Sequence, residues 1–426
     1  MRMLKVGLRG NDVAEVQALL KQRGFDPGPV DGIFGTKTEQ AVRRFQNARG
    51  LSADGIVGPL TYQALQATSA PSTYTVQPGD SLYLISSRFG ISLGALMAAN
   101  PGVSSYDLQI GQRLNIPAAG GDIVTTTINY TYDVLNWDIW SLKDRYPALG
   151  VGVAGQSVLG RNLYYLRLGS GPNQVFFNAS HHSLEWITTV LLMKFTENFL
   201  KAYTAGTAIR GYRPRDIWNR SSIYIIPMVN PDGIELVLNG LRSGNPYDES
   251  LIRWNNGSTN FSRVWQANIR GVDLNHNYDA SWQLSKQAEA AYGITGPGPT
   301  RYSGPYPESE PESRTVADFT RARDFRLVIA YHSQGEVIYW NYQNMAGAAA
   351  RNIGERFSAV SGYALDETTG IASYAGYKDW FIERYRRPGY TVEVGSGTNP
   401  LPISQFPQIY NANEELLLLA SVITAS

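Results

Sequence analysis

The sequence predicts an α/β protein: an open mixed, mostly parallel sheet with helices on both faces, preceded by a small all-α module and a small α+β module. Three observations carry this expectation. Four short runs, "VFFNAS" (175–180), "SIYIIPMVN" (222–230), "RLVIAYHSQ" (326–334) and "YTVEVG" (390–395), are nearly continuous in aliphatic, β-branched and aromatic residues. Such runs suit strands buried on both faces. Apolar helical stretches such as "WITTVLLMKFTENFLKAY" (186–203) separate them, as crossover-linked parallel strands require. At 426 residues the chain is also too long for one ordinary core, so two or three domains are expected.

Residues 1–67 read as a three-helix module. "NDVAEVQALLKQRG" opens on an Asn/Asp cap and closes on Gly24, and "EQAVRRFQNARGL" places Ala41, Val42, Phe45 and Ala48 at helical spacing. "DGIFGTKT" (31–38) and "DGIVGPLT" (54–61) share the pattern D-G-I-x-G-x-x-T, in which Asp-Gly makes a turn and Thr caps or steadies the next segment. "ATSAPS" (67–72) is a linker by composition. Residues 74–117 then read as a strand, a helix capped at Asp80 or Ser81, a second helix after "GIS" and a closing strand "RLNIP". After "AAGGD", residues 123–426 are of a size for one large α/β domain.

Composition narrows the function. The chain carries 37 Lys+Arg against 36 Asp+Glu, so nothing electrostatic favours nucleic acid or an anionic membrane. It has no cysteine, which excludes disulfides, cysteine-based zinc fingers and a thiol nucleophile. The 26 Tyr and 9 Trp suit a large core and carbohydrate-facing surfaces. The start, "MRMLKVGLRGNDV", lacks an apolar h-region, so a secretory signal has either been removed or was never part of the chain. The longest apolar run, "LLLLASVI", is far short of the ~20 residues of a membrane helix, and a soluble protein is expected.

The chemistry is concentrated in few residues. All four histidines, at 181, 182, 276 and 332, fall beside candidate strand ends or polar loops of the last domain. His182 and Glu185 come after "VFFNAS" and stand three apart, so one helical turn presents both side chains on one face. His332 ends "RLVIAY". Two imidazoles and a carboxylate form a zinc set that leaves a fourth position for water. His181 stands four residues from Glu185, so spacing admits either neighbouring histidine. Glu393, ending "YTVEVG", is a carboxylate placed to act as base in the same cleft, because ligands of open α/β sheets bind at the carboxyl ends of the strands.

These segments also carry resemblances. The doubled turn and helix order of the first module resemble the bacterial helical peptidoglycan-binding domain. "YTVQPGDSLYLIS", "LMAANP" and "L-x-I-G-Q-x-L-N-I-P" make 74–117 resemble a LysM domain, implying binding to N-acetylglucosamine-containing glycans. "HSLEW" from His182, "IPMVNPDG" (226–233), "GVDLNHN" (271–277), "HS" at His332 and "TVEVG" around Glu393 recur in order in the zinc carboxypeptidase family of metallopeptidases. By that resemblance one zinc ion (Zn2+) per chain would be held by His182, Glu185 and His332, with Glu393 as general base. The NPDG turn and N-x-N segment of the family correspond to Asn230–Gly233 and Asn275–Asn277.

The departures from the family pattern bear on substrate. The Asn-Arg pair that clamps a C-terminal carboxylate is Asn275-His276 here, and the Arg between His and Glu of the first motif is Leu184. The oxyanion-stabilising Arg is Gln266, leaving Arg253 or Arg270 as compensating donors. The substrate-capping Tyr aligns with Ile371, with Tyr374 nearby. Lys378 occupies the specificity-pocket position, where a cation suits a substrate carboxylate. Asn275, His276, Lys378 and Gln266 are thus the expected substrate-binding residues. The whole architecture resembles the γ-D-glutamyl-L-diamino acid endopeptidases of spore-forming bacteria. This implies cleavage between D-Glu and meso-diaminopimelate in peptidoglycan stem peptides, in the cell wall or spore, by a chain targeted to glycan strands. Two alternatives remain at this stage: a wall-directed carboxypeptidase trimming a terminal residue, and a catalytically relict wall or spore-coat binding protein.

Overall fold

The computed structural model describes residues 2–49, 51–66, 73–103, 107–370 and 374–423. The linker read at 67–72 and Ile371 lie outside the described residues. The chain divides into two compact units, Met1–Thr125 and Thr126–Ser426.

The first unit opens with helices Asn11–Gln22, Thr36–Ala48 and Pro59–Gln66. Their apolar stripes meet in a core of Leu4, Val13, Val16, Leu20, Phe34, Ala41, Val42, Phe45, Val57 and Leu65. The repeated turns are held by two buried glutamines. Gln17 accepts from the backbone N–H groups of Asp31 and Gly32 and donates to Asp31, Ile33 and Thr38. Gln46 accepts from the Gly55 amide and donates to Asp54, Ile56 and Thr61. The first helix differs from expectation at its start: Gly10, with no side-chain cap bond, precedes it, because Asn11 is already its first residue.

Strands β1 (Thr73–Thr75) and β2 (Arg113–Asn115) pair antiparallel. Between them lie helices Leu82–Phe89 and Leu93–Ala98, each with a serine cap. Ser81 accepts from the Leu84 amide and Ser92 from the Ala95 amide, satisfying donors that the first helical turn leaves free.

The second unit is an eight-stranded sheet. Its strands are β3 (Gly150–Gln156), β4 (Asn162–Leu168), β5 (Asn173–Ala179), β6 (Ser221–Ile226), β7 (Phe325–His332), β8 (Val337–Tyr339), β9 (Ala364–Asp366) and β10 (Gly389–Glu393). Their order is β3-β4-β6-β5-β7-β10-β8-β9. The central four, β6, β5, β7 and β10, run parallel, and these are the four runs read from the sequence. Antiparallel strands flank them on both sides. Helix Ile187–Ala205 buries 13 residues along its length, among them Val190, Leu191, Phe195 and Phe199. Part of the core is built from Phe176, Phe319, Phe325 and Tyr377, with Phe176 and Phe325 stacked at 4.9 Å. Because the central strands are parallel, their carboxyl ends share one edge of the sheet. Residues 180–182, His332 and Glu393 stand along that edge.

Candidate active site

The site begins where β5 ends. Ser180 takes a left-handed backbone (φ 58), a conformation costing an L residue roughly 1–2 kcal/mol. Hydrogen bonds hold it there: its hydroxyl meets Thr188 Oγ1 at 2.9 Å and Thr189 Oγ1 at 2.8 Å. The Asn230 amide then pins the next residue, donating to the His181 carbonyl at 3.0 Å and to the Ala267 carbonyl at 3.1 Å. Gly233 is required beside it, since a Cβ there would lie 2.7 Å from the Asn230 amide and 2.8 Å from the Ala267 carbonyl oxygen.

His182 is extended (φ −93, ψ 135) and precedes a 3-10 turn, Ser183–Glu185. The α-helix read from the sequence starts only at Ile187. The pair still meets because residues three apart eclipse in a 3-10 turn. His182 Nδ1 lies 2.8 Å from Glu185 Oε1, and His332 Nδ1 lies 2.9 Å from Glu185 Oε2. The two Nδ1 atoms are 3.3 Å apart, and one ligand atom from each of the three residues falls within 4.8 Å of the others. His181 goes the other way: it is fully buried, Nε2 meets the Tyr278 hydroxyl at 2.8 Å, and its ring stacks on His332 at 5.5 Å.

Electrostatics separate the roles available to these groups. Burial disfavours charge on His182, but the Glu185 and Asp273 carboxylates outweigh it and hold its pKa well above the ordinary value. Burial, reinforced by His332 and His182, pushes His181 well below it, so that ring is neutral. Burial and the neighbouring Glu185 raise Glu393 well above the carboxylate range, against the pull of His182. A carboxyl in that state suits a group that must hold a proton part of the time.

A divalent cation fits the donor set on its own chemistry. Two imidazole nitrogens and two carboxylate oxygens converge with little exposure: 15% for the His182 side chain, 3% for Glu185 and 1% for His332. His182 Nε2 sits 3.0 Å from Asp273 Oδ1, the kind of outer bond that orients a ligating histidine, and a cation taking the place of the Nδ1 proton would then meet the Nδ1 lone pair. Sequence reasoning missed Asp273, although it stands within "GVDLNHN". Its carboxylate is itself fixed, accepting from the Arg301 amide at 2.8 Å and the Asn275 amide at 3.2 Å.

The other expected site residues spread around this centre. Asn275 Oδ1 accepts from the Tyr377 amide at 3.1 Å, and His276 Nδ1 lies 3.2 Å from the Tyr374 carbonyl oxygen. Gln266 accepts through Oε1 from the Thr300 hydroxyl at 2.8 Å, and its carbonyl receives the Ser183 amide at 3.0 Å. Arg270 is engaged by the Tyr247 hydroxyl at 3.1 Å and by Glu310 at 3.7 Å, and Arg253 by Ser250. Lys378, read as a cation facing substrate, is 2% exposed, donates to the Asn341 carbonyl at 2.7 Å and pairs with Asp379.

Three family profiles match the chain: zinc carboxypeptidase over 138–416, peptidoglycan binding domain over 9–65 and LysM domain over 74–117. Gamma-D-glutamyl-L-diamino acid endopeptidase 1 of Lysinibacillus sphaericus is 41% identical over 386 residues, covering 79% of this chain and 96% of the relative. Carboxypeptidase B of Bos taurus is 22% identical over 357 residues, covering 75% and 77%. Among solved structures, carboxypeptidase A from Helicoverpa armigera aligns with a TM-score of 0.53 at 18% identity, covering 77% of this chain and 78% of that one. The fold is thus that of a zinc-dependent peptidase. The chain belongs to the zinc carboxypeptidase family of metallopeptidases. Its peptidoglycan-binding and LysM modules point to association with the cell wall, and among the described residues no helix is long and apolar enough to cross a membrane.

Proposed function

We propose that this chain hydrolyses the γ-D-glutamyl–diamino acid bond of peptidoglycan stem peptides, in the wall or the spore, using one zinc ion per chain held by His182, Glu185 and His332. The observation that carries the reading is the convergence of those three ligand atoms within 4.8 Å, with Glu393 beside His332 on the neighbouring strand. Three further facts support it. The relative that is 41% identical carries this activity in its name. Two glycan-directed modules raise the concentration of wall polymer at the peptidase domain. The position of the carboxylate-clamping arginine in exopeptidases of the family carries His276, and that of the oxyanion-stabilising arginine carries Gln266.

When bound, zinc supplies Lewis-acid polarisation of a carbonyl and lowers the pKa of water toward ~7. Glu393 takes the proton from the attacking water. The water oxygen bonds to the γ-carbonyl carbon, the C–N bond breaks, and Glu393 delivers the proton to the departing amine. Asp273 holds the His182 ring in its tautomer, while His181 stacks behind His332. The Gln266 and His276 side chains meet the substrate with a neutral amide and an imidazole.

The test is to incubate the purified chain with L-Ala-γ-D-Glu-meso-diaminopimelate, with and without a zinc chelator, and weigh the products. Free diaminopimelate and L-Ala-D-Glu, abolished by the chelator, are expected. An intact peptide with no bound zinc would leave a wall-binding protein instead.

A further inference from the structure

A cavity of about 470 Å³ in the peptidase domain is lined by residues that include Leu284, Asn341, Tyr342, Gln343, Glu367 and Tyr374. Two of its walls adjoin segments that carry expected site residues. The Tyr374 carbonyl bonds His276, three residues from Asp273. Asn341 and Tyr342 lie just beyond β8, whose Val337 is the register partner of Glu393.

We propose that Glu367 makes this cavity selective for a diamino acid on the leaving side of the cleaved bond, receiving the ammonium group at the end of that residue's side chain. The proposal rests on the function proposed above. Charge decides it. Lys378 approaches the same wall, but its ammonium is taken by the Asn341 carbonyl and by Asp379, and it is 2% exposed. That pair is neutral as a unit. Glu367 is exposed, and its carboxylate accepts at 3.1 Å from the uncharged Asn341 amide. Among the described residues no Lys or Arg pairs with it. The cavity therefore offers one free negative charge, and an ammonium is its complement.

The remaining lining fits the rest of such a side chain. Leu284 and the tyrosine rings suit methylenes. The Tyr374 hydroxyl can serve the carboxylate that diaminopimelate carries beside its distal ammonium, while the Gln343 amide, donating to the Tyr342 hydroxyl at 3.0 Å and to Ser281 Oγ at 3.1 Å, steadies the tyrosine wall. Lysine has the ammonium alone, so Glu367 reads what the two diamino acids share.

The experiment compares L-Ala-γ-D-Glu-X with X as meso-diaminopimelate, L-lysine or L-norleucine, using wild type, Glu367→Gln and Glu367→Asp. Glu367→Gln should lower kcat/KM on both diamino peptides by roughly 10- to 100-fold, the span of a charged hydrogen bond. The loss should fall mainly on KM, leave the norleucine peptide unchanged and be partly restored in Glu367→Asp. Equal loss on all three peptides, or none on the diamino pair, overturns the proposal. Calorimetric binding of free L-lysine and meso-diaminopimelate keeps the two claims apart. Binding weakened by Glu367→Gln supports the cavity even in a chain that cleaves no stem peptide, and undiminished binding overturns it. A wild type that cleaves none of the three peptides overturns the proposed reaction.

Discussion

His332 and Glu393 face each other in register across the parallel strands β7 and β10. Neighbouring strands lie ~4.8 Å apart, so the sheet itself places the imidazole of the proposed metal site beside a carboxyl of raised pKa, with no loop between them to loosen the geometry. Glu393→Gln should keep this register and lose the proton shuttle. We expect kcat to fall by about 10²–10⁴-fold, with zinc content by atomic absorption unchanged. A variant hydrolysing the stem peptide at the wild-type rate would remove Glu393 from the chemistry.

Asp273 supports the centre from outside. Asp273→Ala frees His182 to rotate and to choose the wrong tautomer. Zinc affinity, measured by competition with a chromogenic chelator, should drop about 10- to 100-fold, and the fold, monitored by circular dichroism, should persist.

Glu312 gives stability a pH dependence. Burial and the nearby Asp232 push its pKa up to about 8 from 4.5. The folded state therefore keeps a proton that the unfolded state releases. This contribution is fully present below pH 4.5 and is lost as pH rises through about 8, at ~1.4 kcal/mol per unit in between. The wild-type melting temperature should fall between pH 5 and pH 9 more steeply than that of Glu312→Gln. Parallel curves would contradict the assignment.

Lys378 and Asp379 form a buried ion pair, 2% and 3% exposed at their side chains. Lys378→Met leaves the Asp379 carboxylate without its counter-charge and should cost about 3–5 kcal/mol, read from the denaturant midpoint. Lys378→Met with Asp379→Asn should recover much of that loss. If the single variant is as stable as wild type, the lysine is not held as described.

The central strands were legible because burial on both faces leaves an unbroken apolar run, as in "VFFNAS" and "RLVIAY". The flanking strands were not. β3, "GVGVAGQ", is rich in glycine and mostly half-buried, and β8 and β9 have three residues each, too few for a period to register. His182, Glu185, His332 and Glu393 stood out because each comes after or ends such a run. Asp273 did not, because its part is a bond to an imidazole 91 positions away. The burial of Lys378 was equally hidden: "GYKDW" does not show that its neighbour Asp379 and the Asn341 carbonyl enclose the ammonium. The choice between His181 and His182 needed the Ser180 turn, which sends consecutive rings to opposite sides.

The most direct measurement is the mass of the fragments released from L-Ala-γ-D-Glu-meso-diaminopimelyl-D-Ala by the zinc-loaded chain. A diaminopimelyl-D-Ala fragment together with L-Ala-D-Glu is the predicted result, since it locates the cut at the γ-glutamyl bond inside the stem. Release of D-Ala alone, with the rest of the peptide intact, would contradict it and make the chain a carboxypeptidase of the wall.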